Sequence, residues 1–325
     1  MVLVVRRDEV EECLRREPGY EGALAVLETS FRELGLHNRV VSYRDERTRL
    51  RYPPDVDEAQ VEKDLWIMPM YIPAIGCGAM RIGSGDDSII AVYDFQYMGL
   101  QAILQDRPLD GVRIGLPLAL AAKYLGPPKA PQIGCIGAGA AAEAAVTAMA
   151  AGQRPARVAI RGRDGVRGED LARHLSVNLG VPAQPVASAE DATRGAGIVI
   201  IAPEEMGRGR VRDAWVAPST LIATSDPDAV EPATRVRATV IHASRRHAPA
   251  WAAQEGPIVE LGDVIRGEHP GRAREDEIFV FVSPPGIGFY DVVTAWWCYG
   301  VAKQQGLGVE VPLVSSEPLD EAAGL

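Results

Sequence analysis

The chain has 325 residues, 47% of them hydrophobic and 24% charged, which is apolar material for about two folded domains and too much for a disordered tail. Its 34 Lys and Arg against 44 Asp and Glu leave a formal net charge of −10, which argues against a nucleic-acid backbone or an anionic membrane as partner. A small molecule is the expected ligand. The cysteines, at 13, 77, 135 and 298, have no paired spacing, so buried reduced thiols in a cytoplasmic protein are expected rather than disulfides or a metal site.

In chain order, residues 1–5 read as an opening strand, too short for a signal peptide, and Asp8 stands where it would cap a helix over 8–35. Strand-like runs follow at 39–43, 47–52, 65–71, 78–82 and 88–93, an α+β arrangement. A helix over 112–125, stopped by Gly126-Pro-Pro, leads into the most informative stretch, 132–143. There an apolar strand runs into Gly137-x-Gly139-x-x-Ala142 and an Ala-rich helix. Gly137 permits a tight turn, Gly139 lets the backbone approach phosphates, and Ala142 allows close helix–strand packing. With Ala140 and Ala141 these residues would cradle a dinucleotide pyrophosphate on the helix N-terminus. The apolar run over 133–151 is built from Gly and Ala and broken by Glu143, so no transmembrane helix is expected.

Beyond the glycine turn, short apolar strands are expected at 156–160, 197–202, 220–224 and 239–243, with helical patterns at 168–179 and 188–194. Alternating strand and helix means an α/β fold with a doubly wound parallel sheet of the Rossmann type. A last strand at 278–282 and a helix at 291–305 would return the chain to its first part. The expected division is a first domain of residues 1–111 plus about 292–325 around a dinucleotide-binding domain of 112–291, with substrate in the cleft. At the end of the second strand, Arg161 and Arg163 favour the 2′-phosphate of NADP, while Asp164 leaves NAD open. The histidines, at 37, 174, 242, 247 and 269, have no ligand spacing and predict no metal; His242, ending a strand near the cleft, is read as structural. Trp296-Trp297-Cys298-Tyr299 reads as packing or subunit contact.

Several ordered blocks resemble the ornithine cyclodeaminase/mu-crystallin family over nearly the full chain: Gly111–Leu125 with Ile136–Gly139, then Leu261–Arg272, Asp276–Ile278, Asp291–Ala295 and Gly306–Gly308. The resemblance implies NAD(P)-dependent chemistry at a carbon bearing nitrogen and a carboxylate, in a homodimer built from the first domain. By resemblance, Arg47 and Arg113 hold the carboxylate, with Arg49 a rival to Arg47. Asp226 handles the proton, Asp228 is its fallback, and Ser283 lies near the nicotinamide. An Asx turn before Pro227 would need the same residue type as the catalytic acid.

The chain departs from the family at its Gly-x-Lys strand, where Ile75–Ile82 puts Gly78 or Met80 at the lysine position. Arg81 is the nearest cation, but its odd offset points it to the opposite face unless a bulge shifts the register. Met80 and Arg81 are thus the substrate-side candidates of that strand, and Ile114 replaces the threonine after the helix arginine. The absent lysine favours an oxidoreductase, either an imine reductase or an amino-acid dehydrogenase. The alternatives are an ornithine- or lysine-type cyclodeaminase and a non-catalytic NADP-dependent binding protein of the mu-crystallin kind.

Overall fold

The computed structural model describes residues 1–17, 19–33, 48–52, 63–84, 87–96, 99–129, 132–152, 155–207 and 210–313. The first part opens with β1 (Val2–Val5), α1 (Arg7–Arg15) and α2 (Gly19–Glu33). The single helix expected over 8–35 is therefore two. Pro18 lies between them in the sequence, and a proline lacks the N–H a helix interior needs and restricts the residue before it. Asp8 sits in the first turn of α1 without capping it; Glu9 Oε2 instead accepts the Arg6 N–H at 2.9 Å.

The strands β2 (Thr48–Tyr52), β3 (Lys63–Ile72), β4 (Cys77–Ser84), β5 (Asp87–Asp94) and β6 (Gly99–Gln105) follow as an antiparallel run. The strand expected at 39–43 lies outside the described residues, and β6 was not read from the sequence.

Helix α3 (Leu109–Leu125) then carries the chain into β7 (Gln132–Ile136), α4 (Ala140–Gly152), β8 (Arg157–Arg161), α5 (Gly165–Asn178), β9 (Ala183–Pro185), α6 (Ala189–Thr193) and β10 (Ile198–Ile201). After these come β11 (Leu221–Thr224), α7 (Pro232–Arg237), β12 (Thr239–His242), α8 (Ala252–Glu255), β13 (Val259–Glu260), α9 (Leu261–Arg266) and β14 (Phe279–Val282). The last elements among the described residues are α10 (Phe289–Gln305) and β15 (Val309–Val311).

Two sheets result among the described residues. The first has seven strands in the order β15-β1-β6-β5-β4-β3-β2. One of its faces, carrying Ile72, Cys77, Ala79, Ile90, Val92 and Leu104, packs on α10, which α2 in turn contacts. The second has eight parallel strands in the order β13-β12-β14-β11-β10-β7-β8-β9. Its central strands β10, β11 and β14 are buried throughout, as covering helices on both faces require. The chain runs outward from β7 to β9 and then restarts on the other side at β10, so the strand order reverses between β7 and β10. In such sheets the crevice at the carboxyl ends of those two strands is where ligands bind.

Helix α3 joins the two sheets. A Cβ on Gly111 would fall 2.6 Å from the Ala140 backbone, and one on Gly115 would fall 2.5 Å from Ala141 O. Only glycine lets the start of α3 lie directly on the start of α4. No helix of the described residues is long and apolar enough to cross a membrane.

Candidate functional site: a glycine turn beside two buried arginines

The turn after β7 is built as its residues suggest. Gly137 takes φ 115°, a region L side chains rarely enter, and its N–H donates to Arg161 O at 2.9 Å, tying the turn to the end of β8. Gly139 O accepts the Glu143 N–H at 3.0 Å, and α4 begins at Ala140 with Ala141 and Ala142 buried. The first amides and the positive dipole end of a helix of 13 residues thus open onto the crevice. At the end of β8, Arg161 Nη1 is 2.5 Å from Glu205 Oε2, and Arg163 is exposed just past the strand. The carboxylate of Asp164 caps α5, with Oδ1 accepting the Arg167 N–H at 2.8 Å.

Arg113, in the first turns of α3, is buried and meets a second arginine. Its Nη2 and Nε donate to Asp110 Oδ1 at 2.9 and 3.1 Å, and its Nε is 3.3 Å from Asp291 Oδ1 on α10. Arg81, only 4% exposed, donates from Nε to Asp106 and from Nη2 to Asp110 Oδ1 at 2.7 Å; its Nη1 is 3.5 Å from the same Asp291 oxygen. Ser88 Oγ donates to Asp106 Oδ1 at 2.6 Å, and the Arg81 guanidinium lies 5.1 Å from the Trp66 ring centroid.

The expectation that Arg81 needs a bulge to reach the site is overturned. The register Met68↔Arg81↔Ile90 runs unbroken through β4, and the irregularity falls instead at Val92/Tyr93 between β5 and β6. By plain alternation Arg81 shares the buried face with Cys77 and Ala79, because the face turned toward α3 and α10 carries the odd-numbered residues of β4. Met80 consequently lies on the opposite face and is not brought to the other candidates.

Ser88, Asp106, Asp110 and Asp291 carry no role that their sequence context alone assigns. The available signal was a carboxylate within an otherwise apolar helix, since charged residues are almost never fully buried unless paired. Burial raises the Asp291 carboxyl above its usual range, against the opposing pull of Arg113 and Arg81. Burial also works against the Arg81 charge, but Asp291, Asp106 and Asp110 outweigh it and raise the guanidinium further.

Asp226 stands past the carboxyl end of β11, 5% exposed. Its Oδ1 accepts the Asp228 N–H and its Oδ2 the Gly207 N–H, both at 2.9 Å, while its own N–H donates to Thr224 Oγ1 at 2.9 Å. The Asx turn is therefore real, and Asp228 is exposed. Ser283, past the end of β14, has its N–H on Thr224 O at 2.9 Å and its hydroxyl 2.8 Å from Tyr290 Oη. Both residues share the carboxyl edge of the sheet with the glycine turn. Arg47 lies outside the described residues, and Arg49 pairs with Trp66 in the β2–β3 register.

Burial lowers the His242 pKa to about 4, so the ring is neutral near pH 7; it packs 6.1 Å from Trp251. Trp297, Cys298 and Tyr299 are buried in α10, and Cys13 Sγ is 3.8 Å from Cys298 O, which is packing. All four cysteines are buried. Among the described residues no group of His, Cys, Asp and Glu is placed to hold a metal ion.

The chain is similar to known proteins at three levels. A Delta(1)-pyrroline-2-carboxylate reductase of Bacillus cereus (strain ZK / E33L) is 26% identical over 252 residues, 69% of this chain and 74% of that protein. The solved Delta(1)-pyrroline-2-carboxylate reductase of Thermococcus litoralis, in complex with NADH and L-proline, superposes with a TM-score of 0.78 at 21% identity, covering 95% of this chain and 100% of the other. An archaeal alanine dehydrogenase dimer with bound NAD gives 0.78 at 17% identity, over 96% and 99%. Structural likeness at that identity shows the fold. The model of the ornithine cyclodeaminase/mu-crystallin family matches residues 99–306, from β6 through the glycine turn to the end of α10, and the chain belongs to that family.

Proposed function

We propose that the protein is an NAD(P)-dependent oxidoreductase acting at the C–N bond of an α-imino or α-amino acid, as an imine reductase or amino-acid dehydrogenase. The observation that carries this reading is the meeting of two buried arginines, Arg81 and Arg113, where α3 lies against the glycine turn. The reductase relatives and the NADH and NAD of the structural neighbours support it.

A bound nicotinamide would give or accept the hydride. The chain would do the rest. A substrate carboxylate suits the planar forks of Arg113 and Arg81. The bonds of Arg113 to Asp110 run through Nε and Nη2, and Arg81 Nη1 is buried without a hydrogen-bond partner. A neutral Asp291, which its burial favours, would leave the cluster less repulsive to a third carboxylate. Arginine stays protonated and cannot carry a proton, so Arg81 can orient substrate but cannot act as acid or base. Proton transfer to or from nitrogen falls to Asp226, whose oxygens keep lone pairs beyond the two amide bonds they accept.

In this reading residues 112–291 hold the cofactor, while residues 1–111 with about 292–325 hold substrate and dimerise. Buried cysteines without paired spacing fit a reducing cytoplasm. The test is to follow absorbance of NADH and NADPH with a panel of cyclic imino acids and of 2-oxo acids with amines. Oxidation by a member of the panel is expected. A protein that binds the reduced nucleotides yet oxidises neither with any member, while releasing ammonia from ornithine or lysine without net cofactor use, would be a cyclodeaminase instead.

A further inference from the structure

The adenosine side of the crevice lacks the acid that an NAD site usually offers at the end of its second strand. Here β8 ends in Arg161-Gly162-Arg163, and the carboxylate of Asp164 is engaged in capping α5. An acid arrives from elsewhere. Glu205 belongs to the short turn after β10, its N–H on Ala202 O at 3.1 Å, and the Ala202 N–H is on Ile136 O at 2.9 Å. The turn is thereby fixed to the strand that leads into Gly137. In the order β10-β7-β8, the Glu205 side chain reaches across the end of β7 to Arg161 on β8, at 2.5 Å. The pair spans the mouth of the glycine turn.

Glu205 is only 4% exposed, and its second oxygen, Oε1, is buried without a hydrogen-bond partner. A buried carboxylate oxygen left without a donor costs stability, so its retention marks a place for a ligand's hydroxyl. We infer that Glu205 selects NAD over NADP: Oε1 accepts a ribose hydroxyl, and the carboxylate, by neutralising Arg161, opposes a 2′-phosphate. A phosphate brings nearly two negative charges and needs uncommitted cations, whereas a ribose hydroxyl needs an acceptor. The inference rests on the dinucleotide-binding reading above and adds which nucleotide the site takes.

Fluorescence titration of the whole protein with NADH and NADPH tests it, using wild type, Glu205→Gln and Arg161→Ala. Wild type should bind NADH more tightly. Glu205→Gln keeps the shape, removes the charge and frees Arg161, so the affinity ratio should move about tenfold toward NADPH, the scale of one charge-assisted contact. Arg161→Ala should move it the other way. Wild-type preference for NADPH, or an unchanged ratio in Glu205→Gln with both nucleotides still bound, overturns the inference and leaves the dinucleotide reading standing. A wild type that binds neither nucleotide overturns both. Should Glu205→Gln not fold, Arg161→Ala decides: a shift toward NADH supports the selection, and no shift overturns it.

Discussion

At Asp226 one carboxylate carries two duties, closing an Asx turn and, in the proposed mechanism, handling the proton. The two separate by substitution. Asp226→Asn keeps an acceptor for the Asp228 N–H and loses the one for the Gly207 N–H, so the protein should fold with somewhat lower stability and still bind NADH, while turnover falls by about 10²-fold or more. Steady-state rates and a cofactor titration on the same sample decide it, and unchanged turnover would leave Asp226 as a turn residue only. The position of Asp226 at a strand end was legible because parallel strands announce themselves as short apolar runs. Arg81 was harder, since its role depends on which face of β4 turns inward, and local alternation by itself does not say which. Asp106 and Asp110 were not legible at all, because their partners lie 25 and 29 residues away on β4.

Among elements, the contact of α3 with α4 decides how close the arginines come to the glycine turn. Gly111→Ala would drive a methyl to 2.6 Å from the Ala140 backbone, which cannot move without shifting the start of α4. Overpacking of that kind costs about 1–3 kcal/mol, and it should also weaken NADH binding. Gly300→Ala, on the exposed side of α10 with nothing within 4 Å of the new methyl, should stabilise by roughly 0.5–1 kcal/mol and leave binding unchanged. Denaturant unfolding with and without NADH checks both; equal effects at the two glycines would mean that the close approach is not needed. The strands and helices read for the second sheet fall within a few residues of β8, α5, α6, β10, β11, β12 and β14, while β9, β13, α7, α8 and α9, each of two to six residues, give too short a pattern to read. The break between α1 and α2 was signalled by Pro18 and overlooked, and β6 was missed because Gly99-Leu-Gln-Ala is not strongly alternating.

At the scale of the whole molecule, part of the outer face of the first sheet is apolar. Its outer face carries Ile67, Ile82 and Ile89 in register across β3, β4 and β5, and Leu65 and Ile89 are 45% and 37% exposed. In the proposed reading a second copy of the chain covers this face. Light scattering should therefore read about twice the chain mass of 34.9 kDa, and the double variant Ile82→Lys with Ile89→Lys should read the single mass; a wild-type monomer would sink the homodimer. The sequence by itself determined the parallel sheet, the glycine turn and the family, because hydrophobic periodicity and backbone freedom at glycine are local properties written over a few residues. Tertiary structure alone decided that Arg81 joins Arg113, that Asp291 is buried between them and that Glu205 meets Arg161. Each of these depends on which face or strand end packs against a distant element, and the packing of the whole chain settles that choice.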